Sequence, residues 1–195
     1  MKVGIVGKGN VGTALGNGLS RAGHEVRHGH RDPREPVDEA VRWGEVIILA
    51  VPYSQVGNAS KEIGTLADDK VLVDVTNAIA PDGGLAIGFT TSAAEEVQKM
   101  LPEARVVKAF NTVFARNQSS GRIDDVTLTA FLAGDDQEAK ETVMQLSRDI
   151  GFEPVDCGPL SAARYLEPMA IQIISLAYSQ GMGTGIGYKL VKERD

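Results

Sequence analysis

Cysteine is almost absent from the sequence. The 195 residues contain one, Cys157, so the chain cannot form an internal disulfide framework. Proteins of reducing compartments share this feature, and we expect a cytoplasmic location. Long apolar runs are also missing, since the run from 46 to 51 is far shorter than the ~20 residues that span a bilayer. The sequence therefore predicts neither a disulfide scaffold nor a membrane protein.

Basic residues are fewer than acidic residues in this sequence. The chain has 20 lysines and arginines against 26 aspartates and glutamates, which gives a formal net charge of −6. A general nucleic-acid binder needs a basic surface, so this class of partner is not expected. Any anionic ligand must instead be met by a local group of basic side chains.

Several catalytic signatures are missing as well. The sequence contains no HExxH or CxxC motif, and the side chains of His24, His28 and His30 would spread along one strand, so no metal site is expected. The nucleophile motif GxSxG and the Walker A ending GK[ST] do not occur, and no acid–base pair stands out. This pattern suits hydride transfer between two bound cofactors, in which the cofactors supply the chemistry. We therefore name no catalytic side chain.

The residues that are present alternate between short apolar runs and helical patterns. The apolar runs predict strands at residues 2–6, 24–29, 45–51, 70–75, 105–110, 126–133 and 153–157. Helical spacing predicts helices at residues 11–22, 36–43, 53–66, 92–101 and 135–150. Strands that alternate with helices indicate an α/β fold of Rossmann type, with a doubly wound, mostly parallel sheet.

The pattern changes after Gly158. A long, mainly apolar helix is predicted from 159 to 179, followed by glycines at 181, 183, 185 and 187. We place a boundary here, with a nucleotide-binding domain over 1–157 and a small C-terminal helical segment over 158–195. This segment is too short to fold alone and must pack on the first domain or on a second subunit. Its glycine backbone could cover a flat ring or form a dimer contact, and the apolar helix favours a homodimer.

A glycine-rich turn follows the first predicted strand. Its residues are Gly7, Lys8, Gly9, Asn10, Val11 and Gly12, which match the pattern GxGxxG between a strand and a helix. In dinucleotide-binding sites the first glycine allows a tight turn, the second lets the backbone approach a pyrophosphate, and the third permits close packing of helix on strand. Free amides at the helix N-terminus then receive the phosphate charge. The alternative is an ordinary βα turn that binds no nucleotide.

The end of the second strand distinguishes NADP from NAD. A carboxylate at this position holds the ribose hydroxyls of NAD, whereas a basic side chain accommodates the 2′-phosphate of NADP. Arg31 can grip a phosphate with its planar donors, and His30 and Arg34 can add donors beside it. Asp32 offers the competing interpretation, as a ribose ligand. Because two arginines flank Asp32, we expect NADP to be the cofactor.

Three further strand ends fall where the ligand of an open α/β sheet lies. Ala50-Val51-Pro52 could press on the nucleotide near the ribose and pyrophosphate. Thr76-Asn77 and Asn111 follow the next two predicted strands. The two asparagines could hydrogen-bond the nicotinamide side of the cofactor, or they could serve only the turns in which asparagine is common.

Longer segments of the sequence are similar to one family. They are residues 3–12, Gly29-His30-Arg31, Ala50-Val51-Pro52, Val107-Lys108-Ala109-Phe110-Asn111-Thr112, Gly158-Pro159-Leu160 and the glycine-rich stretch 181–187. Together they resemble the coenzyme F420-dependent NADP oxidoreductases over almost the whole chain. The first segment is shared with many Rossmann enzymes, whereas the Lys-Ala-Phe-Asn and Gly-Pro-Leu segments are more specific. Cytosolic domains of membrane ferric reductases carry a similar Lys-Ala-Phe-Asn stretch.

This resemblance implies reversible hydride transfer between NADP(H) and an 8-hydroxy-5-deazaflavin, coenzyme F420. It places NADP contacts on Lys8, Gly9, Asn10 and Val11, on His30 and Arg31, and near Val51, Thr76 and Asn111. It also places the deazaflavin over the nicotinamide, with the C-terminal segment near its ring. The twelve residues 33–44 stand where archaeal members carry a longer insert, so we expect the third strand of the usual sheet, or its helix, to be lost.

Two other functions stay open on the sequence alone. The chain could use NADPH to reduce a free flavin or ferric iron, or it could be a non-catalytic NADP-binding sensor whose tail is a subunit contact. All three functions share the glycine-rich turn and differ in whether a second planar ligand binds. NADPH oxidation in the presence of each acceptor distinguishes them.

Overall fold

Strands and helices alternate along the chain as predicted. The computed structural model describes residues 1–193, and within them lie nine strands and seven α-helices. The strands are β1 (Lys2–Val6), β2 (Glu25–Gly29), β3 (Val46–Leu49), β4 (Val71–Asp74), β5 (Arg105–Lys108), β6 (Arg122–Ile123), β7 (Val126–Thr127), β8 (Thr129–Gly134) and β9 (Glu153–Asp156). The helices are α1 (Asn10–Arg21), α2 (Val37–Trp43), α3 (Val56–Ile63), α4 (Ala93–Met100), α5 (Ala115–Gln118), α6 (Gln137–Ile150) and α7 (Ala163–Tyr178).

Seven of the strands form one sheet in the order β2-β1-β3-β4-β5-β8-β9. The first five are mutually parallel, β8 runs antiparallel to β5, and β9 is parallel to β8. This arrangement confirms the predicted Rossmann-type fold with a mostly parallel sheet. The strand predicted over 126–133 is instead divided, because β7 pairs with β6 in a separate hairpin and only β8 joins the sheet. The hairpin turns at Asp124, which has a φ of 48°.

The sheet ends at β2 instead of continuing outward. Residues 33–44, which connect β2 to β3, form only the short helix α2, and no strand of the described chain lies outside β2. A Cβ on Gly29 would lie 2.7 Å from Val37 Cα, so α2 packs directly against the end of β2. Residues 33–44 therefore contain a helix and no strand. The end of β2 consequently lies at the rim of the sheet.

The central strand β3 is buried on both faces. Val46 and Ile48 pack with residues of α1 and α6, whereas Ile47 and Leu49 pack with residues of α2, α3 and α4. Successive side chains of a strand point to opposite faces, so a strand covered on both sides needs a continuous apolar run. The strand predicted from this run is confirmed. The parallel pairing also brings the carboxyl ends of β1, β3, β4 and β5 to one edge of the sheet.

The C-terminal segment folds back onto the sheet. A 3₁₀ turn at Leu160–Ala162 leads into α7, and Leu166 packs against Ala133 of β8. Beyond α7, the Thr129 N–H donates to Tyr188 O at 2.9 Å, so the chain returns along β8. None of the helices in residues 1–193 combines the length and apolar character needed to cross a membrane.

A buried lysine joins α7 to the carboxyl end of the sheet. The fully buried Lys108 ammonium lies 2.8 Å from Asp74 Oδ2 and 2.8 Å from Glu167 Oε1. Glu167 also accepts the first two backbone N–H groups of α4, at 2.9 and 3.3 Å. Burial by itself would lower the pKa of Lys108, but the charges of Asp74 and Glu167 outweigh burial and raise that pKa. The side chain therefore stays charged and balances two buried carboxylates.

Replacing Lys108 with methionine should destabilise the protein by about 3–5 kcal/mol, because two buried carboxylates would lose their counter-ion. Urea unfolding followed by circular dichroism measures the difference. Lys99→Met, which removes an ammonium whose side chain is 66% exposed, is the matched control and should stay within about 0.5 kcal/mol of the parent. Equal stabilities of the two variants would contradict this account of the buried lysine.

Candidate functional site

The glycine-rich turn after β1 touches the end of β3. Gly7 has a φ of 113°, and a Cβ placed on it would lie 2.2 Å from Ala50 O. A Cβ on Gly12 would lie 2.5 Å from Gly7 O, so α1 packs directly on the turn. No side chain larger than hydrogen fits at either position without moving backbone. These two glycines therefore have the turn and packing functions predicted for them.

Gly9 has the opposite environment. A Cβ placed on it would meet nothing within 4 Å, and its backbone is extended, with a φ of −79° and a ψ of −172°. Gly9 is the N-cap of α1, and no side chain in residues 1–193 caps that helix end. The first amides of a helix have no intrahelical acceptors, and the first turn of α1 carries no acidic residue. An anion placed beside Gly9 would meet free N–H groups and the positive end of the helix dipole.

Two clefts meet at this turn. The first, of about 1100 Å³, extends toward the end of β2, and the second, of about 700 Å³, extends toward the end of β4. Their linings share Gly9 and Ala50-Val51-Pro52, so the two clefts form one groove along the edge of the sheet. A groove whose halves meet at a phosphate site has the shape that a dinucleotide requires. The predicted site residues in its lining are Gly7, Lys8, Gly9, Asn10, Val11, His30, Arg31, Ala50, Val51, Pro52, Thr76 and Asn77.

Three predicted site residues lie outside the lining of the groove. Gly12 is the packing position described above. Arg34 binds the neighbouring Asp32, with 2.6 Å between Arg34 Nη2 and Asp32 Oδ2. Asn111 is buried behind Asn77.

After β2, Asp32 and Arg34 pair with each other, whereas Arg31 stands apart from them. Hydrogen bonds from the side chain and the backbone N–H of Arg34 lower the pKa of Asp32 to about 2. Arg31 is exposed, lines the first cleft and forms no hydrogen bond with another residue of the described range 1–193. Asp32 is therefore bound to its own turn, whereas the Arg31 guanidinium is available to a ligand.

Glu35 is a residue that sequence reasoning missed. Its carboxylate lies 2.6 Å from Lys8 Nζ and 2.5 Å from His30 Nε2. The hydrogen bonds from Lys8 and His30 lower the pKa of the Glu35 carboxyl. Lys8 precedes Glu35 by 27 residues, so no local pattern relates them. Only the position of Glu35 in the turn after β2 could have drawn attention to it.

The far end of the groove is built from two asparagines. Asn77 Nδ2 donates to Asn111 O at 3.0 Å, and Asn111 Nδ2 donates to Asn77 Oδ1 at 3.0 Å. Asn111 Nδ2 also donates to Leu166 O of α7 at 2.9 Å. The structure thus brings the two predicted asparagines together, but only Asn77 reaches the lining of the groove. Asn111 is buried on the side of Asn77 away from the groove and holds the Asn77 side chain through these hydrogen bonds.

A third cleft adjoins the groove at Gly9 and Asn10. It has a volume of about 630 Å³ and lies between α1 and α5. The C-terminal segment contributes Tyr178 and Thr184 to this third cleft. Within the described residues, it contributes nothing to the lining of the first two clefts. The Tyr178 ring packs edge-on against Phe114, with 6.2 Å between ring centroids.

The histidines have partners other than a metal ion. His24 Nε2 lies 3.0 Å from Asp149 Oδ2, and His28 Nδ1 lies 3.2 Å from Gly7 O. The His28 ring thus contacts the backbone of the glycine-rich turn, and the His30 ring contacts the Glu35 carboxylate. The described part of the chain contains no cluster of three or more metal-ligating side chains.

Replacing Gly9 with valine should weaken NADPH binding by at least about 100-fold, because the new side chain would fill the position predicted for the diphosphate. The fold should persist, since a Cβ on Gly9 meets no neighbour. Isothermal titration calorimetry and thermal melting measure the two effects. Gly57→Val on α3, where a Cβ also meets nothing, is the matched control. Unchanged NADPH affinity in the Gly9 variant would contradict the assignment of this turn.

Comparison with known proteins points to one family. Residues 2–78 match the family model described as NADP oxidoreductase coenzyme F420-dependent. An F420-dependent NADP reductase from Methanocaldococcus jannaschii is 30% identical over 155 residues, which cover 76% of this chain and 69% of that protein. A crystal structure of a proposed F420-dependent NADP reductase from Arthrobacter sp. FB24 superposes with a TM-score of 0.91 at 26% identity, covering 98% of this chain and 100% of that one.

A second group of relatives is longer. The rat metalloreductase STEAP3 is 32% identical over 185 residues, which cover 89% of this chain but only 37% of that protein. The chain therefore spans little more than a third of the length of the metalloreductases that it matches. The range matched by the family model includes the glycine-rich turn and the carboxyl ends of β2, β3 and β4. The chain is a member of the coenzyme F420-dependent NADP oxidoreductase family.

Proposed function

We propose that this chain transfers a hydride between NADP(H) and the 8-hydroxy-5-deazaflavin coenzyme F420. The observation that carries the proposal is the continuous groove that meets the α1 N-terminus at Gly9, with cationic side chains at one end and an amide at the other. Family membership and the name of the archaeal relative support the choice of both cofactors. On this proposal the chain is an NADP-dependent oxidoreductase.

The residues of the groove fit NADP. The backbone of Gly9, Asn10 and Val11 would hold the diphosphate, because this helix end is uncapped by the described residues and Gly9 leaves space beside it. His30 and Arg31 would hold the 2′-phosphate at the end of β2, since both line the first cleft. Planar guanidinium donors suit a phosphate, and Arg31 has no competing partner in residues 1–193.

The second cleft would hold the nicotinamide. Thr76 and Asn77 supply polar groups there, while Val51 and Pro52 supply an apolar wall. NADPH would give up a hydride and become NADP⁺, and F420 would take up that hydride together with one proton, which water can supply, so the groove needs no acid or base side chain for the transfer. Its side chains instead orient the ring and exclude water. Asn111 contributes indirectly, because it holds Asn77 and is itself held by the backbone of α7.

We also propose roles for residues 158–195, of which the last two lie outside the described range. They form the small helical segment on the deazaflavin side, next to the NADP-binding domain of residues 1–157. A homodimer contact on α7 belongs to this proposal, since Tyr165 is 72% exposed on the helix and would be covered by a second subunit. Sedimentation velocity tests the dimer. A cytoplasmic location belongs to the same proposal.

The metalloreductase relatives support a second candidate function. STEAP3 is 32% identical over 89% of this chain, so reduction of a free flavin or of ferric iron with NADPH is the main alternative. A non-catalytic NADP-binding sensor is the third. Both alternatives keep the NADPH-binding groove. In the first, a free flavin accepts the hydride or two ferric ions accept its two electrons, and in the second no acceptor is reduced.

NADPH oxidation with each acceptor tests the function. We expect turnover with oxidised coenzyme F420 and much slower turnover with FMN, FAD or a ferric chelate. Faster turnover with a free flavin or ferric chelate would favour the second candidate. Tight NADPH binding without turnover on any acceptor would favour the sensor.

Replacing Arg31 with alanine should weaken NADPH binding by about 10- to 100-fold and change NADH binding little, because only NADPH carries the 2′-phosphate. Dissociation constants for both dinucleotides measure the difference. Arg42→Ala removes the same charge from the exposed surface of α2 and serves as the control. Equal weakening of NADPH and NADH in the Arg31 variant would contradict the role of Arg31.

A further inference from the structure

We infer that Glu35 is a specificity-determining residue of the dinucleotide site: its carboxylate is an internal substitute for the 2′-phosphate and must be displaced when NADP(H) binds. The inference rests on the proposed function, because it assumes that the first cleft receives the adenosine half of NADP(H). It goes further by assigning a role to a residue outside the GxGxxG pattern. The role is competition for the cations of the site, which lowers the affinity for NADP(H).

The geometry places one carboxylate between an ammonium group and an imidazole ring of the cleft. Lys8 Nζ lies 2.8 and 2.6 Å from the two oxygens of Glu35, and His30 Nε2 lies 2.5 Å from Glu35 Oε2. Lys8 comes from the glycine-rich turn and His30 from the end of β2, and both line the first cleft. Glu35 therefore bridges the two elements that flank the position expected for the adenosine phosphate.

The backbone holds Glu35 in this position. The His30 N–H donates to Glu35 O at 2.8 Å, and the Glu35 N–H donates to Asp32 O at 2.9 Å, so residues 30–35 form a closed turn. The other charged pair of this turn, Asp32 with Arg34, satisfies itself. The Glu35 side chain is 40% exposed, which leaves it free to rotate into water when a ligand takes its place.

The charges of the competing groups explain why NADP(H), but not NAD(H), displaces the Glu35 carboxylate. A carboxylate carries one negative charge and two oxygens, whereas a phosphate monoester carries about −1.5 to −2 charges at pH 7 and three strong acceptor oxygens. The 2′-phosphate of NADP(H) can therefore replace Glu35 on Lys8 and His30 and can add the free Arg31. The neutral 2′-hydroxyl of NAD(H) offers no comparable exchange. Only the phosphorylated cofactor breaks the Glu35 contacts, so Glu35 lowers the affinity for NADP(H), leaves the affinity for NAD(H) unchanged and narrows the preference between them.

The test compares Glu35→Gln with the parent by isothermal titration calorimetry. We expect NADPH and 2′,5′-ADP to bind about 3- to 10-fold more tightly to the variant, since one modest exposed ion-pair network no longer has to be broken. NADH and 5′-ADP should change by less than about twofold. Glu39 is an exposed residue of α2, four positions after Glu35 in the sequence. Glu39→Gln removes the same charge and should not increase the affinity for NADPH or 2′,5′-ADP.

Two results would overturn the inference. One is an unchanged or weaker affinity of Glu35→Gln for NADPH and 2′,5′-ADP. The other is weaker NADH binding in that variant, which would make Glu35 a ribose ligand. Glu35→Ala should repeat the direction of the effect, and thermal melting checks that both variants fold. If the parent binds NADPH and turns over with an acceptor while Glu35→Gln matches it, only this inference fails. If the parent binds neither NADPH nor 2′,5′-ADP, the proposed function fails as well.

Discussion

The contact between the turn after β1 and the end of β3 is the constraint on which the site depends. A Cβ added to Gly7 would lie 2.2 Å from Ala50 O, and a Cβ added to Gly12 would lie 2.5 Å from Gly7 O. Because these contacts join backbone to backbone, side-chain rearrangement cannot relieve them. They place the N-terminus of α1 at the point where two clefts meet. No side chain covers the start of α1 at Gly9, so the free amides of α1 face the groove.

A second constraint holds the other end of the groove. Lys108 is among the largest fully buried side chains of the described structure, and it connects β4, β5 and α7 through Asp74 and Glu167. Burial strengthens each of these interactions, whereas the ion pairs of Lys8 and Arg34 lie in water and are weak. The two ends of the site therefore differ in kind. The end of the groove proposed for the nicotinamide rests on a buried ion network, and the end proposed for the adenosine carries exposed charges that a ligand can rearrange.

Local patterns predicted most of the fold and the glycine-rich turn after β1. The apolar run that became β3 and the GxGxxG turn depend on residues that are neighbours in sequence, so their consequences could be worked out directly. The family resemblance led us to expect that the third strand or its helix would be missing at residues 33–44, where the structure has α2 and no strand. The interpretation of 126–133 as one strand was wrong, because residues 126–127 find their partners in a local hairpin.

What could not be predicted depends on contacts between distant residues. Nothing near Glu35 in the sequence indicates that Lys8 will reach it, and nothing near Lys108 indicates that Glu167 of α7 will complete its environment. A lysine within an apolar strand is a signal that something must neutralise it, but the sequence does not say what. The pairing of Asn77 with Asn111 is of the same kind. The sequence places each asparagine after a strand. It does not show that the two side chains bond to each other, because that depends on β4 and β5 being neighbours in the sheet.

A crystal structure of the chain with NADP⁺ tests the central claim most directly. The account places the diphosphate against the amides of Gly9, Asn10 and Val11, the adenosine in the first cleft and the nicotinamide in the second. A dinucleotide bound elsewhere on the chain, or bound in the groove with its diphosphate away from the start of α1, would contradict it.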